Sequence, residues 1–227
     1  MTVPMRLDRR VLLRLAAGWA AVTVAGCTSI IPGTGQAPQV YVLMRKTTFP
    51  PDLPQVRQQL LIAVPTATAE IDSARIALSR SPTTIDYFAN AAWGDRAPLM
   101  IQSLLVESFE TTGKIVGISG EQAGLRADYL LLPELRRFVA LYAAGAGEAA
   151  PTVHVRLLVR LVRMPDRVIL GETVAERRHP AARNDMEAIV DAFDEALGGV
   201  MKDIVSWTLP RIRADARADR GPVAPHA

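Results

Sequence analysis

The sequence VHVRLLVRL at residues 153–161 decides the fold. Val or Leu occupies every second position, and His154, Arg156 and Arg160 lie between them together with one further leucine. Side chains of a β-strand point alternately to the two faces of its sheet. The pattern therefore predicts a strand with one buried face and one wetter face.

Apolar, β-rich segments flank this strand on both sides. Residues 129–142 precede it, and residues 168–176 follow it after Met164-Pro165-Asp166. Three consecutive strands joined by loops predict an antiparallel meander. Pro133 interrupts the first of these strands, and we expect it at an edge or a bulge because proline cannot donate a hydrogen bond to a strand ladder.

Two segments carry apolar residues at the spacing of three and four that is typical of amphipathic helices. The first helix is predicted to begin at Asp95, which can cap it, and to end at Gly113. The second is predicted to follow Asn184, a capping side chain with a glutamate three residues on, and to close near Pro210.

Four short β-rich runs are predicted before the first helix, at residues 39–44, 59–64, 75–78 and 84–88. Ser81-Pro82 is expected to form a turn between the last two runs. Strands grouped with two long helices predict an α+β fold class, in which two main amphipathic helices pack on one face of an antiparallel sheet.

Cys27 is the only cysteine of the chain and ends the tetrad Val-Ala-Gly-Cys. Four arginines and an apolar run precede the tetrad, and the uninterrupted apolar part after Arg14 is about ten residues long. A helix that crosses a bilayer needs about 20 residues, so the run fits a secretory signal. The tetrad resembles the bacterial lipobox, which implies cleavage before Cys27 and acylation of its thiol, for example with palmitate.

Two other interpretations remain open for this segment: an ordinary signal peptide with a chance cysteine, and an uncleaved anchor helix. Arg9-Arg10 resembles a twin-arginine export motif, so the choice between Sec and twin-arginine export is also open. Thr28 stands where an aspartate retains lipoproteins in the inner membrane of well-studied bacteria. This resemblance implies an outer-membrane lipoprotein that faces the periplasm.

The charge of the chain belongs mostly to its N-terminal segment. The net charge of +3 comes from 26 basic and 23 acidic residues, and the first 26 residues hold four arginines and one aspartate. The remainder therefore has 22 residues of each sign, which predicts no surface for nucleic acid. We predict a signal peptide at 1–26, a flexible tether at 27–38, a folded domain at 39–209 and a disordered tail at 210–227.

An ordered set of short segments runs through the predicted domain. They are YVL at 41–43, IAVP at 62–65, DSARIA at 72–77, IDYF at 85–88, WGDRAP at 93–98, ADYLL at 127–131, AFDEALG at 192–198 and WTL at 207–209. Together with the lipobox, this set resembles the ABC-type transport auxiliary lipoprotein family, including its paraquat-inducible-type members, over about residues 39–209.

The resemblance implies an accessory subunit of an ABC/MCE-type intermembrane lipid transport system. Its expected partners are an MCE-domain protein, which it would dock or tether at the outer membrane, the ABC permease and ATPase, and phospholipid. The alternative is a periplasmic lipoprotein that binds a lipid or another ligand by itself, in a groove between helices and sheet.

The residues themselves point to no catalytic chemistry. None of the three histidines has a second metal ligand at useful spacing, so we expect no metal, no cofactor and no enzyme. The carboxylates Asp72, Asp86, Asp95 and Asp128 are expected at strand ends and helix starts, where capping and turn roles are common.

Three residues are candidate partner contacts: Trp93, Arg156 and Arg160. Trp93 stands before a helix, where it can either anchor a partner or hold the loop to the core. The strand face that carries the two arginines can either meet an acidic partner or lipid head groups, or remain a solvated sheet face.

Overall fold

The computed structural model describes residues 37–143, 145 and 149–218. The predicted signal peptide, the predicted lipidation site Cys27, most of the predicted tether and the last nine residues lie outside this range. The described residues from Pro38 onward form one compact unit.

Nine strands and two long helices make up this unit. The strands are β1 (Gln39–Tyr41), β2 (Val56–Ile62), β3 (Thr66–Ala67), β4 (Arg75–Ser81), β5 (Thr84–Trp93), β6 (Ile115–Gly120), β7 (Tyr129–Leu141), β8 (Thr152–Arg163) and β9 (Val168–Pro180). The helices are α1 (Ala97–Thr111) and α2 (Met186–Ala218), and a short 3₁₀ helix spans Glu121–Ala123.

Strand β7 organises the sheet because neighbours pair along both of its sides. One side pairs antiparallel with β8, and β9 pairs antiparallel with β8 in turn. The other side pairs in parallel with β2, β3 and β4. The α+β class and the meander are confirmed, but the sheet is mixed, so the expectation of an antiparallel sheet is wrong.

Pro133 lies inside β7, opposite Val159 of β8. Strand β7 has neighbours on both sides, so the expectation that Pro133 marks an edge strand or a bulge is wrong. The pairing of β7 with β2 ends at Leu131, and its pairing with β3 begins at Glu134. Pro133 thus falls in the break between two neighbours, where a missing N–H is tolerated.

The period-two pattern of β8 faces the helices as predicted. Its inward side chains are fully buried in one core cluster with side chains of both helices. These residues are Val153, Val155, Leu157, Val159 and Leu161. The predicted face of α1 is buried as well, including Ile101, Leu105 and Phe109. The helices and the inner face of the sheet therefore share a single core.

Helix α2 continues through Pro210 to Ala218, although the sequence predicted its end near that proline. Ile212 is fully buried in the core, and Asp215 accepts hydrogen bonds from Tyr129 and Arg163 of the sheet. A proline inside a helix costs about 3 kcal/mol. These contacts offset that cost, so the disordered tail predicted from residue 210 does not begin there.

Both helix starts differ from the predicted caps. Asp185, and not Asn184, accepts a hydrogen bond from the N–H of Ala188. Asn184 instead accepts a hydrogen bond from the hydroxyl of Tyr142. At α1 the N-cap is Arg96, and its N–H donates to Asp95. The side chains that the pattern assigned to capping therefore bind other groups: Asn184 binds the hydroxyl of Tyr142, and Asp95 binds the N–H of its neighbour Arg96.

An aromatic cluster joins strands β5 and β7 to α2. The rings of Trp93 on β5, Phe138 on β7 and Phe193 on α2 lie with centroids 4.8 to 5.5 Å apart. Such aromatic pairs add stability beyond the area that they bury. The cluster fixes the loop before α1 against the core.

Replacing Phe193 by alanine removes the side chain at the centre of this cluster. We expect the free energy of unfolding to fall by about 3 to 5 kcal/mol, because a large buried ring leaves a cavity. Urea denaturation measures the loss. The control is Val116→Ala on the edge strand β6, where the side chain is 71% exposed and a change within about 0.5 kcal/mol is expected. Equal losses in both variants would contradict the assigned role of the cluster.

Candidate functional site

The face of β7, β8 and β9 that points away from the helices is here called the outer face. It carries His154, Arg156, Leu158 and Arg160 of β8, with Glu134 of β7 and Glu172, Val174 and Glu176 of β9. Because the inward positions of β8 are buried under the helices, these alternating positions lie on the opposite side. Both arginines predicted as partner contacts therefore belong to one surface.

Cross-strand ion pairs hold these arginines in place. Nε of Arg160 lies 2.8 Å from Oε2 of Glu172. Nη1 of the same arginine lies 3.8 Å from Oε2 of Glu134. Nε of Arg156 lies 3.4 Å from Oε2 of Glu176. Opposite charges directly across a sheet stabilise their pairing modestly. The outer face is thus a half-exposed surface of ordered, alternating charge.

His154 is buried on this face, although the sequence placed it on a wetter side. It is 6% exposed, and its ring Nε2 lies 2.8 Å from Oε1 of Glu176. Burial lowers the pKa of His154, and the hydrogen bond with Glu176 raises it only in part. That hydrogen bond also lowers the pKa of the Glu176 carboxyl. The histidine is therefore neutral at pH 7 and orients the carboxylate beside Arg156.

Apolar side chains interrupt the charges of the outer face. Leu158 is buried between Glu134 and Val174, its neighbours across the two strand pairs. Val174 and Ile169 of β9 are exposed. The outer face therefore combines paired charges with single exposed apolar side chains.

Trp93 lies elsewhere and is buried. It is 2% exposed and packs against Phe138 and Phe193, so its ring is not presented to a partner. Trp93 is therefore a core residue. Of its two expected roles, the structure supports the one in which it holds the loop before the helix to the core. Its position before a helix did not distinguish the two roles, because burial depends on residues far away in the sequence.

An exposed apolar row at the start of the domain was missed. Val40, Val42 and Met44 are exposed, whereas Leu43 between them is buried. The sequence QVYVLM is apolar at nearly every position. Such a run does not distinguish a strand that is buried on both faces from one whose second face is exposed. The row is here called the N-terminal stripe.

Three of the four carboxylates for which capping and turn roles were expected have structural partners. Asp72 forms a salt bridge with Arg96, and Asp95 accepts a hydrogen bond from the N–H of Arg96. Asp128 accepts one from the N–H of Gln59. In the part of the chain that the structure describes, no three His, Cys, Asp or Glu side chains gather as a metal site.

A surface groove of about 560 Å³ lies beside the cis peptide bond that precedes Pro165. Its walls combine Leu61, Leu125 and Met164 with the acidic Glu121 and Asp128. Among the described residues, no helix combines the length and the apolarity that crossing a membrane requires.

Solved structures and related sequences place the fold. The crystal structure of protein XCC0632 from Xanthomonas campestris matches with a TM-score of 0.73 and 31% identity, covering 79% of this chain and 99% of that one. A crystal structure of an uncharacterized protein shares the fold, with a TM-score of 0.58 and 11% identity, over 75% of this chain and 97% of its own.

A related sequence from Bradyrhizobium diazoefficiens, the uncharacterized protein bll6063, is 28% identical over 188 residues. The match covers 82% of this chain and 49% of that protein, so this chain spans about half the length of that relative.

Residues 41–205 match the model of the ABC-type transport auxiliary lipoprotein component family. The chain belongs to this family, as its segments and fold indicated. The family consists of auxiliary lipoproteins of ABC-type transport, and it is not a known enzyme family.

The pairing of the buried His154 with the partly exposed Glu176 predicts a dependence of stability on pH. Because the pKa of His154 is lower in the folded chain than the usual value of about 6.5, the unfolded chain binds a proton first as the pH falls. The free energy of unfolding should therefore decrease below about pH 6.5 and level off once the folded histidine protonates.

His154→Gln removes this titration and keeps a side-chain donor for Glu176. Urea denaturation between pH 7.5 and 5.5 should show a smaller loss of stability for this variant than for the wild-type chain. His179→Gln is the matched control, because it makes the same substitution at an exposed histidine of β9. An unchanged slope in the His154 variant would contradict the pairing.

Proposed function

We propose that this protein is a lipid-anchored, periplasm-facing accessory subunit of an ABC/MCE-type intermembrane lipid transport system. In this role it docks or tethers the MCE component at the outer membrane. The observation that carries the proposal is the family match over residues 41–205, which begins shortly after a tetrad of lipobox type. The partners are the MCE-domain protein, the ABC permease and ATPase, and phospholipid as the transported class.

The anchor is Cys27. One acyl chain binds a membrane only marginally, whereas two or more chains hold a protein there stably. Thr28 supports the outer membrane as the site of anchoring. Residues 27–38 are the tether, which keeps the folded domain close to the membrane. Anchoring raises the local concentration of the domain, so a weak contact with a membrane-bound partner becomes effective.

The outer face is the proposed docking surface. Neither helix covers it, and Arg156 and Arg160 lie on it four residues apart along β8. Their positions are fixed by the carboxylates of Glu172 and Glu176, so the charges are already ordered before a partner binds. Ordered charges around apolar side chains such as Val174 favour a specific orientation and rapid association.

The alternative, in which the domain alone carries a lipid between helices and sheet, finds little room. Residues of both layers, such as Leu157 on β8, Leu105 on α1 and Phe193 on α2, are fully buried in one packed core. The surface groove beside Met164 is lined by Glu121 and Asp128 and by one arginine, Arg126, so its net charge is negative and does not favour anionic head groups. Docking is therefore the function that the geometry supports best.

A pull-down from detergent-solubilised membranes tests the proposal. The intact, tagged lipoprotein should retain the MCE protein, and the double variant Arg156→Glu/Arg160→Glu should retain at least tenfold less. A loss of about 1.4 kcal/mol in binding corresponds to that factor. Absence of an MCE protein in the wild-type sample would contradict docking.

The control is Arg57→Glu/Arg126→Glu, which reverses two exposed arginines outside the outer face. Thermal melting of both double variants shows whether the domain still folds. Loss of capture in the control, with capture retained in the outer-face variant, would place the docking surface elsewhere.

A further inference from the structure

The N-terminal stripe is a row of exposed apolar side chains on a fixed backbone. Val40, Val42 and Met44 are 60%, 69% and 68% exposed, and Leu43 between them is 5% exposed. Alternate residues of an extended chain point to opposite sides. Tyr41 and Leu43 therefore join the core, and the three others form one outward row.

Contacts on both sides of the stripe hold this segment to the domain. Strand β1 pairs with β5, and the N–H of Gly94 donates to the carbonyl oxygen of Tyr41 at 2.9 Å. The N–H of Met44 donates to Oδ1 of Asp194 on α2 at 2.6 Å. The N–H of Lys46 donates to Oγ of Ser108 on α1 at 3.0 Å. The stripe is thus presented by a rigid support.

Gly94 shows that the two valines share one side. A Cβ atom built on Gly94 would lie 3.3 Å from Cγ1 of Val42 and 3.8 Å from Cγ1 of Val40. Both side chains flank the same glycine, and no larger side chain at that position covers them. The result is a narrow apolar ridge at the β1 edge of the sheet.

The position of the ridge along the chain indicates what covers it. The described residues begin at Ala37, ten residues after Cys27, and ten residues span at most about 35 Å. Within the described residues, the ridge is the first exposed apolar surface along the chain, and it lies within this reach of Cys27. Arg45 comes directly after it; its side chain pairs with Glu107 at 3.4 Å but is still about half exposed, so it can also meet the phosphates of lipid head groups.

We propose that the N-terminal stripe contacts the surface of the membrane that holds the anchor, with Val40, Val42 and Met44 inserted at the boundary between head groups and acyl chains. This inference rests on the proposed acylation of Cys27. Three apolar side chains alone bind a bilayer weakly, but a tethered domain meets the bilayer at high effective concentration.

The contact fixes how the domain is oriented. Strand β1 joins the sheet through β5 and β4, and β4 pairs with β7 at Ala140 and Leu141. Strand β6 joins through β2, which pairs with β7 at its other end, from Tyr129 to Leu131. With β1 on the membrane, the exposed Val116 of β6 lies toward the opposite end of β7. The acyl anchor alone leaves the domain free to rotate, whereas the added contact presents the outer face in a constant direction.

Site-specific fluorescence in vesicles tests the contact. Since Cys27 is the only cysteine and is acylated in the intact lipoprotein, Val42→Cys offers one thiol for an NBD probe. The full chain is purified with its lipid and reconstituted in phosphatidylcholine and phosphatidylglycerol vesicles. Val116→Cys is the matched control, because it replaces an equally exposed valine on β6, which joins the sheet at the other end of β7.

The probe at position 42 should be quenched by nitroxide-labelled lipid at least twofold more than the probe at position 116, and less by aqueous iodide. Equal iodide quenching at both positions, without quenching by the labelled lipid, would overturn the proposal. Shielding of position 42 from both quenchers would also overturn it, because the ridge would then be covered by a second copy of the chain.

Counting the labelled thiols distinguishes the absence of a membrane contact at position 42 from the absence of acylation at Cys27. One label per chain together with flotation on the vesicles confirms the anchor, so that a water-exposed probe at position 42 would refute the stripe contact alone. Two labels per chain and no flotation would refute the acylation of Cys27 and, with it, both proposals. Circular dichroism of the two variants confirms that each is folded.

Discussion

The packing of α2 against the inward residues of β8 is the interaction on which the rest of the structure depends. The inward row from Val153 to Leu161 is fully buried, and Phe193, Leu197 and Ile204 of α2 lie in the same core. Because this helix occupies one side of the meander, the other side remains an uncovered sheet face. The outer face, with its paired arginines and glutamates, exists because the core lies entirely on the opposite side.

The local elements could be predicted because each depends on a period within the sequence. Such periods predict the alternation of β8 and the apolar face of α2. The hairpin turn at Ser81-Pro82 follows from its turn-forming residues. The pairing of β7 with β2, β3 and β4 depends on residues far apart in the chain, and no local period encodes it. The extension of α2 past Pro210 likewise depends on a distant partner, since Asp215 accepts hydrogen bonds from Tyr129 and Arg163.

The candidate surface could be predicted only in part. The strand period placed Arg156 and Arg160 on one face, and the structure brings them beside Glu172 and Glu176. Burial of His154 was not foreseen, and burial of Trp93 was one of two interpretations, because the aromatic rings and strands that cover them come from other segments. The outward turn of Val40 and Val42 was equally hidden, since alternation alone does not tell which side the core occupies.

The proposed account gives the domain two surfaces with different tasks, one toward a partner and one toward the membrane, and both require the acyl anchor. Mass spectrometry of the protein extracted from membranes of its native host tests this requirement most directly. The account predicts a mature chain that begins at Cys27 and carries the added mass of a diacylglycerol group on that residue. A chain that still contains the residues before Cys27, or that begins there with a free thiol, would contradict it.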